Sequence, residues 1–130
     1  MPANYHIDNK TKLIFTTWEG EAHDNDFIMA IKEYQKDIQN HPDYITYNEV
    51  VNLSNVSKIK ITTEGIKRLS HIASSTDKGR SNRKLAIIVN STFAFGLARM
   101  YEAYRSFSKK SQKEIRIFKN EISALEWINK

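Results

Sequence analysis

The chain has 130 residues, 40% of them hydrophobic and 27% charged, which suits one packed domain and excludes a largely disordered segment. It contains no cysteine, so disulfides, thiolate nucleophiles and cysteine-bound zinc are excluded together. The net charge of +5 is mild and spread along the sequence, and no apolar run approaches the ~20 residues of a membrane-spanning helix.

Tyr5 to Asp8 and Thr11 to Trp18 read as a hairpin around an Asn9-Lys10 turn, with Leu13, Phe15 and Thr17 alternating against Ile14, Thr16 and Trp18. Gly20 is expected to end the second strand. Asp24 is placed to cap a helix on which Phe27, Ile31, Tyr34 and Ile38 share a face, and Asn40 with Pro42 stops it. Tyr47 to Leu53 reads as a strand, and the polar stretch Ser54 to Lys60 as a connection. Thr62 or Thr63 caps the next helix, whose buried stripe is Ile66, Leu69, Ile72 and Ala73. Ser74 to Arg83 reads as a mobile loop, and the basic group Lys78, Arg80, Arg83 and Lys84 as solvated surface.

Leu85 to Val89 is a continuous apolar run, as in a strand buried on both faces. A helix from Phe93 to Lys109 is expected to bury Phe93, Leu97, Met100, Tyr104 and Phe107, leaving Tyr101 less committed. Ile115 to Phe118 makes the last strand, and Asn120 caps a short helix carrying Ile122, Leu125 and Ile128. The order β-β-α-β-α-β-α-β-α predicts one α/β domain across residues 1–130: a single-layer, mixed but mainly parallel sheet flanked by helices, with right-handed crossovers and an antiparallel edge.

No catalytic apparatus is legible. The four histidines (His6, His23, His41 and His71) lack metal-ligand spacing, and Ser70 and His71 are adjacent, on different faces of a helix. The four glycines are too far apart to cradle a phosphate, and Glu19 and Glu21 read as a solvated turn. No enzyme activity, cofactor or metal is therefore expected. Arg99, Tyr101, Tyr104 and Arg105 mix cations and aromatics, but the mild charge argues against nucleic acid. MPANYHIDNK lacks the apolar stretch of a secretory signal, so a cytoplasmic location is expected, and the Asn-x-Ser/Thr triplets at Asn9, Asn52, Asn55 and Asn90 are read as chance.

Three phrases, in order on the expected elements, carry a resemblance. They are Val51-Asn52-Leu53-Ser54-Asn55-Val56, Phe95-Gly96-Leu97-Ala98-Arg99-Met100-Tyr101-Glu102 and Ala124-Leu125-Glu126-Trp127-Ile128. Together they resemble the SpoIIAA-like family of the STAS/SEC14-type superfamily across nearly the whole chain. That resemblance implies a four- or five-stranded mixed sheet and a regulatory or protein-interaction role without catalysis. It also implies a phosphoacceptor at Thr62 or Thr63, although the Asp that precedes the family's acceptor is missing and Asn52 stands where a strand-end Asp is common.

The partner or ligand is expected at the carboxyl edge of the sheet, among Asn52, Ser54, Asn55, Asn90, Ser91, Thr92, Phe95, Arg99 and Tyr101. The partner would be another protein or a small apolar or anionic ligand, and a homodimer through Tyr101 or Trp127 is left open. The alternative, implied by the SEC14-type relatives, is a small-molecule or lipid carrier with a cavity under the third helix, lined by Phe93, Phe95, Met100, Tyr101 and Tyr104.

Overall fold

Alternation of apolar and polar side chains sets the first two strands, β1 (Ala3–Asp8) and β2 (Leu13–His23), which pair antiparallel with Ile7 opposite Ile14. On β1, Tyr5 and Ile7 turn inward while Asn4 and His6 face out. The computed structural model describes residues 3–75, 83–106 and 113–130. In the turn, the Asp8 carboxylate accepts N–H bonds from Lys10 at 2.9 Å and Thr11 at 3.4 Å, which lower its pKa.

β2 does not end at Gly20. The glycine takes a left-handed φ of +72°, which a residue without Cβ adopts freely, and the strand runs on to His23. It does so because β3 (Asn48–Lys60) is longer than expected: the polar stretch Ser54 to Lys60 is strand, paired in parallel with residues 19–23. The register shifts by one extra β3 residue between Thr17 and Glu19 and again between Gly20 and Glu21. This outer ribbon extends past β4 (Arg83–Ile88), which pairs with β3 only from Glu49 to Asn52. A ribbon wetted in this way carries polar residues, so its sequence reads as a connection.

Helix α1 (Asp24–Asn40) is capped by His23 rather than Asp24, with the His23 N–H bonded to Asp26 Oδ2 at 2.9 Å. Ile28, Tyr34 and Ile38 are its buried face, and a 3₁₀ turn (Pro42–Thr46) follows. Helix α2 (Thr63–Ser74) is capped by Thr62, whose hydroxyl accepts from Gly65 N at 2.9 Å. The remaining elements are α3 (Thr92–Ser106), β5 (Lys113–Phe118) and α4 (Glu121–Ile128), the last capped by Asn120 through Ser123 N at 2.8 Å.

The five strands lie in the order β1-β2-β3-β4-β5, with every pair after the first parallel. Side-chain alternation divides the core in two. Leu85, Ile87 and Val89 pack with Ala94 and Ala98 of α3, and on that same face Ile14 packs with Tyr34 and Ile38 of α1. Val50, Ala86 and Ile88 turn the other way, onto Ala124, Trp127 and Ile128 of α4. Helices α1, α2 and α3 thus cover one face and α4 the other. All three crossovers pass over one face in one direction, so they share one hand. Among the described residues, no helix is long and apolar enough to cross a membrane.

Three side-chain expectations are corrected. In α3 the buried face is Ala94, Ala98 and Arg105, with Tyr101 half-buried beside them, whereas Phe93 is 63% exposed. Ala94 and Ala98 pack with Leu85, Ile87 and Ile115 of the sheet, and the bulkier stripe turns sideways. Phe107 and the expected end of the helix at Lys109 lie outside the described residues. The second correction is Arg83, which is 1% exposed within β4 rather than on a solvated surface, and Lys84 beside it is half-buried. Lys78, Arg80 and the expected loop from 76 to 82 lie outside the described residues. Ile122, expected in the stripe of α4, is 72% exposed.

Candidate functional site

The layer between the three helices and the sheet is not filled. A cavity of about 170 Å³ lies there, walled mainly by apolar side chains. The sheet contributes Tyr5, Trp18, Val51, Leu53, Leu85 and Ile87. Phe27, Ile31 and Tyr34 come from α1, Ile66, Leu69 and Ala73 from α2, and Ala94, Leu97, Ala98, Tyr101 and Arg105 from α3. An engineered apolar cavity of about 150 Å³ admits a benzene-sized guest, so this volume is enough for a small ligand.

Charged groups enter this apolar layer at one end. Glu49, the second residue of β3, is 8% exposed; Arg83, the first of β4, is 1% exposed; Arg105, in the last turn of α3, is 2% exposed. A crossover helix runs antiparallel to the strands it joins, so the end of α3 lies toward the amino ends of the strands, as do Glu49 and Arg83. The Tyr34 hydroxyl donates to Glu49 Oε1, and Arg83 Nη1 stands 3.7 Å from that same oxygen. Burial first, and the Glu49 charge second, hold the Tyr34 phenol well above its usual pKa. Arg105 Nη1 donates to the Tyr101 hydroxyl at 2.9 Å, with the guanidinium carbon 5.8 Å from the ring centroid. Sequence reasoning missed all of this except Tyr101. The available signal was the pair of polar residues, Glu49 and Arg83, standing at the starts of otherwise apolar strand runs.

A second cluster, a latch, ties α1 to α2 beside the cavity. Asp24 Oδ1 accepts from the Thr62 N–H at 2.8 Å, and Oδ2 accepts from the Thr62 hydroxyl at 2.7 Å. Gly65 packs directly beneath that carboxylate. The Thr62 hydroxyl therefore donates to Asp24 and accepts from Gly65, while Thr63 is exposed as the first residue of α2. Farther along the two helices, Gln35 Nε2 donates to Ser75 Oγ at 3.2 Å and to the Ile72 carbonyl.

At the carboxyl edge, part of the expected set comes together. Asn52 Oδ1 accepts from Ser54 N at 2.9 Å and Ser54 Oγ at 2.6 Å, and Asn90 Nδ2 donates to the Ser54 carbonyl at 2.6 Å. The Ser91 hydroxyl accepts from Ala94 N at 3.1 Å. These bonds are turns, caps and a tie between strand ends. Asn55 and Thr92 are exposed, Phe95 is 38% exposed, and Arg99 pairs with Glu102 at 3.1 Å. A groove beside them is bordered by Leu53, Val56, Lys58, Asn90 and the exposed Phe93. Tyr101 stands apart from that edge, in the cavity wall. Of the aromatic set expected to line a cavity, Tyr101 alone does so; among the described residues the rest of α3's lining is Ala94, Leu97, Ala98 and Arg105. No three His, Asp or Glu side chains among the described residues gather as a metal site.

No family model and no curated protein matches the sequence. Among solved structures, the chain is similar to an uncharacterised protein of the DUF3478 family from Shewanella loihica PV-4, which has a SpoIIAA-like fold. The two superpose with a TM-score of 0.59 over 97% of this chain and 93% of that one, at 12% identity. At that identity the likeness is one of fold, and it agrees with the strand order and helix placement described above: this chain is a mixed five-stranded α/β sheet with the SpoIIAA-like fold.

Proposed function

We propose that this chain is a non-catalytic binding module that takes a small molecule with an apolar body between its helix layer and its sheet. The observation that carries the reading is the apolar cavity of about 170 Å³, open on one side and lined by residues of three helices and four strands. Protein interiors ordinarily pack to crystal-like density, and an apolar void forfeits dispersion contacts on every wall. A fold that retains one under α1, α2 and α3 is suited to an occupant that supplies those contacts. The ionisable groups in the wall support binding rather than chemistry, because Glu49 is engaged by Tyr34 and Arg83.

The test is native mass spectrometry of the purified protein, with denaturing spectra of the same sample, beside the variant Ala98→Leu. Ala98 is 6% exposed and lines the cavity, so the added carbons occupy the void. Wild type is expected to carry or accept an added mass that disappears on denaturation, and Ala98→Leu to lose it while staying folded. Wild type that accepts no apolar guest under any loading condition refutes the reading.

A second reading, a protein-interaction or regulatory surface at the carboxyl edge, is favoured by the exposure of Phe93 and Phe95 beside the Leu53–Lys58 groove. The two readings are compatible if occupancy of the cavity adjusts the packing of α3. Phosphorylation of Thr62 belongs with this second reading. A phosphoryl group there would set a dianion against Asp24 and separate the starts of α1 and α2. A mass-spectrometric assay with candidate kinases that leaves Thr62 and Thr63 unmodified removes it.

A further inference from the structure

We propose that the ligand of this cavity is uncharged and carries a hydrogen-bonding oxygen, a hydroxyl or a carbonyl, which Tyr5, Thr16 and Trp18 receive. The inference rests on the cavity reading above and adds the chemistry of the occupant. All three side chains line the cavity, on one face of the antiparallel pair β1 and β2. Tyr5 is directly opposite Thr16, and Trp18 stands two residues farther along β2, opposite Ala3. Side chains opposite one another on a sheet face have Cβ atoms about 5 Å apart, and the diagonal neighbour, at about 7–8 Å, is within reach of an aromatic side chain. A phenol hydroxyl, an aliphatic hydroxyl and an indole N–H are thus gathered on one patch of wall.

Among the described residues, these three groups make no hydrogen bond. Trp18 is 3% exposed, and its ring stacks on Phe27 of α1 with centroids 4.4 Å apart. That stack fixes the indole in advance, and an oriented donor loses less freedom when a ligand arrives. A buried indole N–H ordinarily has a partner, and a ligand oxygen supplies one. Tyr5 and Thr16 are half-buried beside it and can each donate or accept. The charged groups of the wall are differently placed. Glu49 is engaged by Tyr34 and Arg83, Arg105 is engaged by Tyr101, and Glu33 is exposed at the rim. A charged head drawn into the layer would shed its hydration where Glu49 and Arg105 are already committed, which disfavours ions of either sign.

The shape of the site places the two parts of the ligand. The floor of the cavity runs across the strands: Tyr5, Thr16, Val51 and Ile87 are level in the register and all line it. From β1 to β4 that path covers three strand spacings, about 14 Å. The unbonded hydroxyls and the indole N–H stand at the β1 end, whereas Val51 and Ile87, with Ala94 and Ala98 of α3 above, offer apolar contact at the other. A head on β1 and β2 with an apolar body directed toward β4 and α3 satisfies both halves. The volume of about 170 Å³ suits a body of one ring.

The experiment measures binding of toluene, benzyl alcohol, benzoate and benzylammonium to the full chain by calorimetry, one ring with four heads. Benzyl alcohol is expected to bind about three- to tenfold more tightly than toluene, the worth of one neutral hydrogen bond, and each ion about tenfold or more weakly than benzyl alcohol. Combining Tyr5→Phe with Thr16→Val removes both hydroxyls at nearly constant shape and is expected to abolish the preference for benzyl alcohol over toluene. Proton NMR of the wild type gives a readout that needs no folded variant. The chain has two tryptophans, and Trp127 packs under α4 on the opposite face, so its indole N–H is the internal reference. Benzyl alcohol is expected to move the Trp18 N–H resonance downfield relative to toluene and to leave that of Trp127 in place, with Trp18→Phe assigning the two signals. Toluene binding as tightly as benzyl alcohol, either ion binding most tightly, or the same Trp18 resonance with both neutral guests overturns the assignment of the head while the cavity reading stands. Failure of all four compounds to bind overturns both.

Discussion

The latch between the first two helices gives a prediction whose sign depends on its partner. Gly65 lies in the first turn of α2, and a Cβ placed on it would overlap the Asp24 carboxylate, 2.7 Å from Oδ2 and closer still to Oδ1 and Cγ. The whole carboxylate would have to leave, and with it both bonds to Thr62. Hydrogen bonds to a charged group contribute about 1.5–3 kcal/mol each, and two of them, discounted for partial exposure, about 2–3 kcal/mol together. Replacing a helical glycine by alanine returns about 1 kcal/mol of helix propensity. Gly65→Ala is therefore expected to destabilise the protein by about 1–2 kcal/mol. In an Asp24→Ala background the clash and the bonds are both gone, and the same Gly65→Ala change is expected to stabilise by about 0.5–1 kcal/mol. Urea unfolding of the four proteins in the cycle measures this directly. A Gly65→Ala protein as stable as wild type, or the same sign in both backgrounds, would refute the reasoning.

Tyr34→Phe removes the hydroxyl bond to a buried carboxylate and is expected to cost about 1.5–3 kcal/mol at neutral pH. The raised Tyr34 pKa also sets a pH dependence. The folded phenol keeps its proton where the unfolded one, at pKa about 10, releases it, so this contribution is full below that pH and is lost as pH rises above it. Above about pH 10 wild type is expected to lose about 1.4 kcal/mol per pH unit more than Tyr34→Phe, read from urea unfolding at stepped pH; parallel slopes would count against the burial of that proton. Arg83→Met removes the guanidinium 3.7 Å from the buried Glu49 carboxylate and is expected to cost about 3–5 kcal/mol, with part regained in the Arg83→Met, Glu49→Gln double variant by thermal melting. Trp127, 6% exposed between Lys84 and Arg116 at 5.3 and 5.4 Å from its ring, anchors α4 to the sheet, and Trp127→Ala is expected to cost about 3–5 kcal/mol in the same assay.

The order of elements was legible because their punctuation is local. Thr62 and Asn120 cap the helices they were expected to cap, since each needs only a neighbouring backbone group, and α1 ends at Asn40 as expected. What escaped depends on partners distant in sequence. Ser54 to Lys60 is strand because β2 runs on beside it, and the left-handed backbone at Gly20, expected to stop β2, lets it do so. Asp24 has the composition of a cap, yet its carboxylate is used 38 residues away at Thr62. On α3, two stripes offset by one residue are both apolar enough to bury, and the alanine stripe is the one that packs with Leu85, Ile87 and Ile115. Arg83 reads as surface because a buried cation is intelligible only with its surroundings, here Glu49.

The strand order also bears on where a ligand can sit. In open α/β sheets the crevice at the carboxyl ends forms where consecutive crossovers depart to opposite faces and leave a gap between their helices. Here β2, β3, β4 and β5 follow one another in space, and α1, α2 and α3 all lie over one face, so the parallel part of the sheet has no such switch point. The strand ends at that edge are instead tied together by Asn52, Ser54 and Asn90. Besides the groove at that edge, an apolar space lies beneath the three helices, with α1 and α2 forming part of its wall. Two contacts hold α1 to α2: the Asp24–Thr62 bonds at the starts of the helices and the Gln35 contacts to Ile72 and Ser75 farther along. Loosening the first set is the smallest change that widens a path to the cavity while leaving the sheet, α4 and the buried charges in place. Asp24→Ala is accordingly expected to quicken both uptake and release of an apolar guest by a similar factor, leaving its affinity nearly unchanged, because Asp24 ties α1 to α2 and does not itself line the cavity.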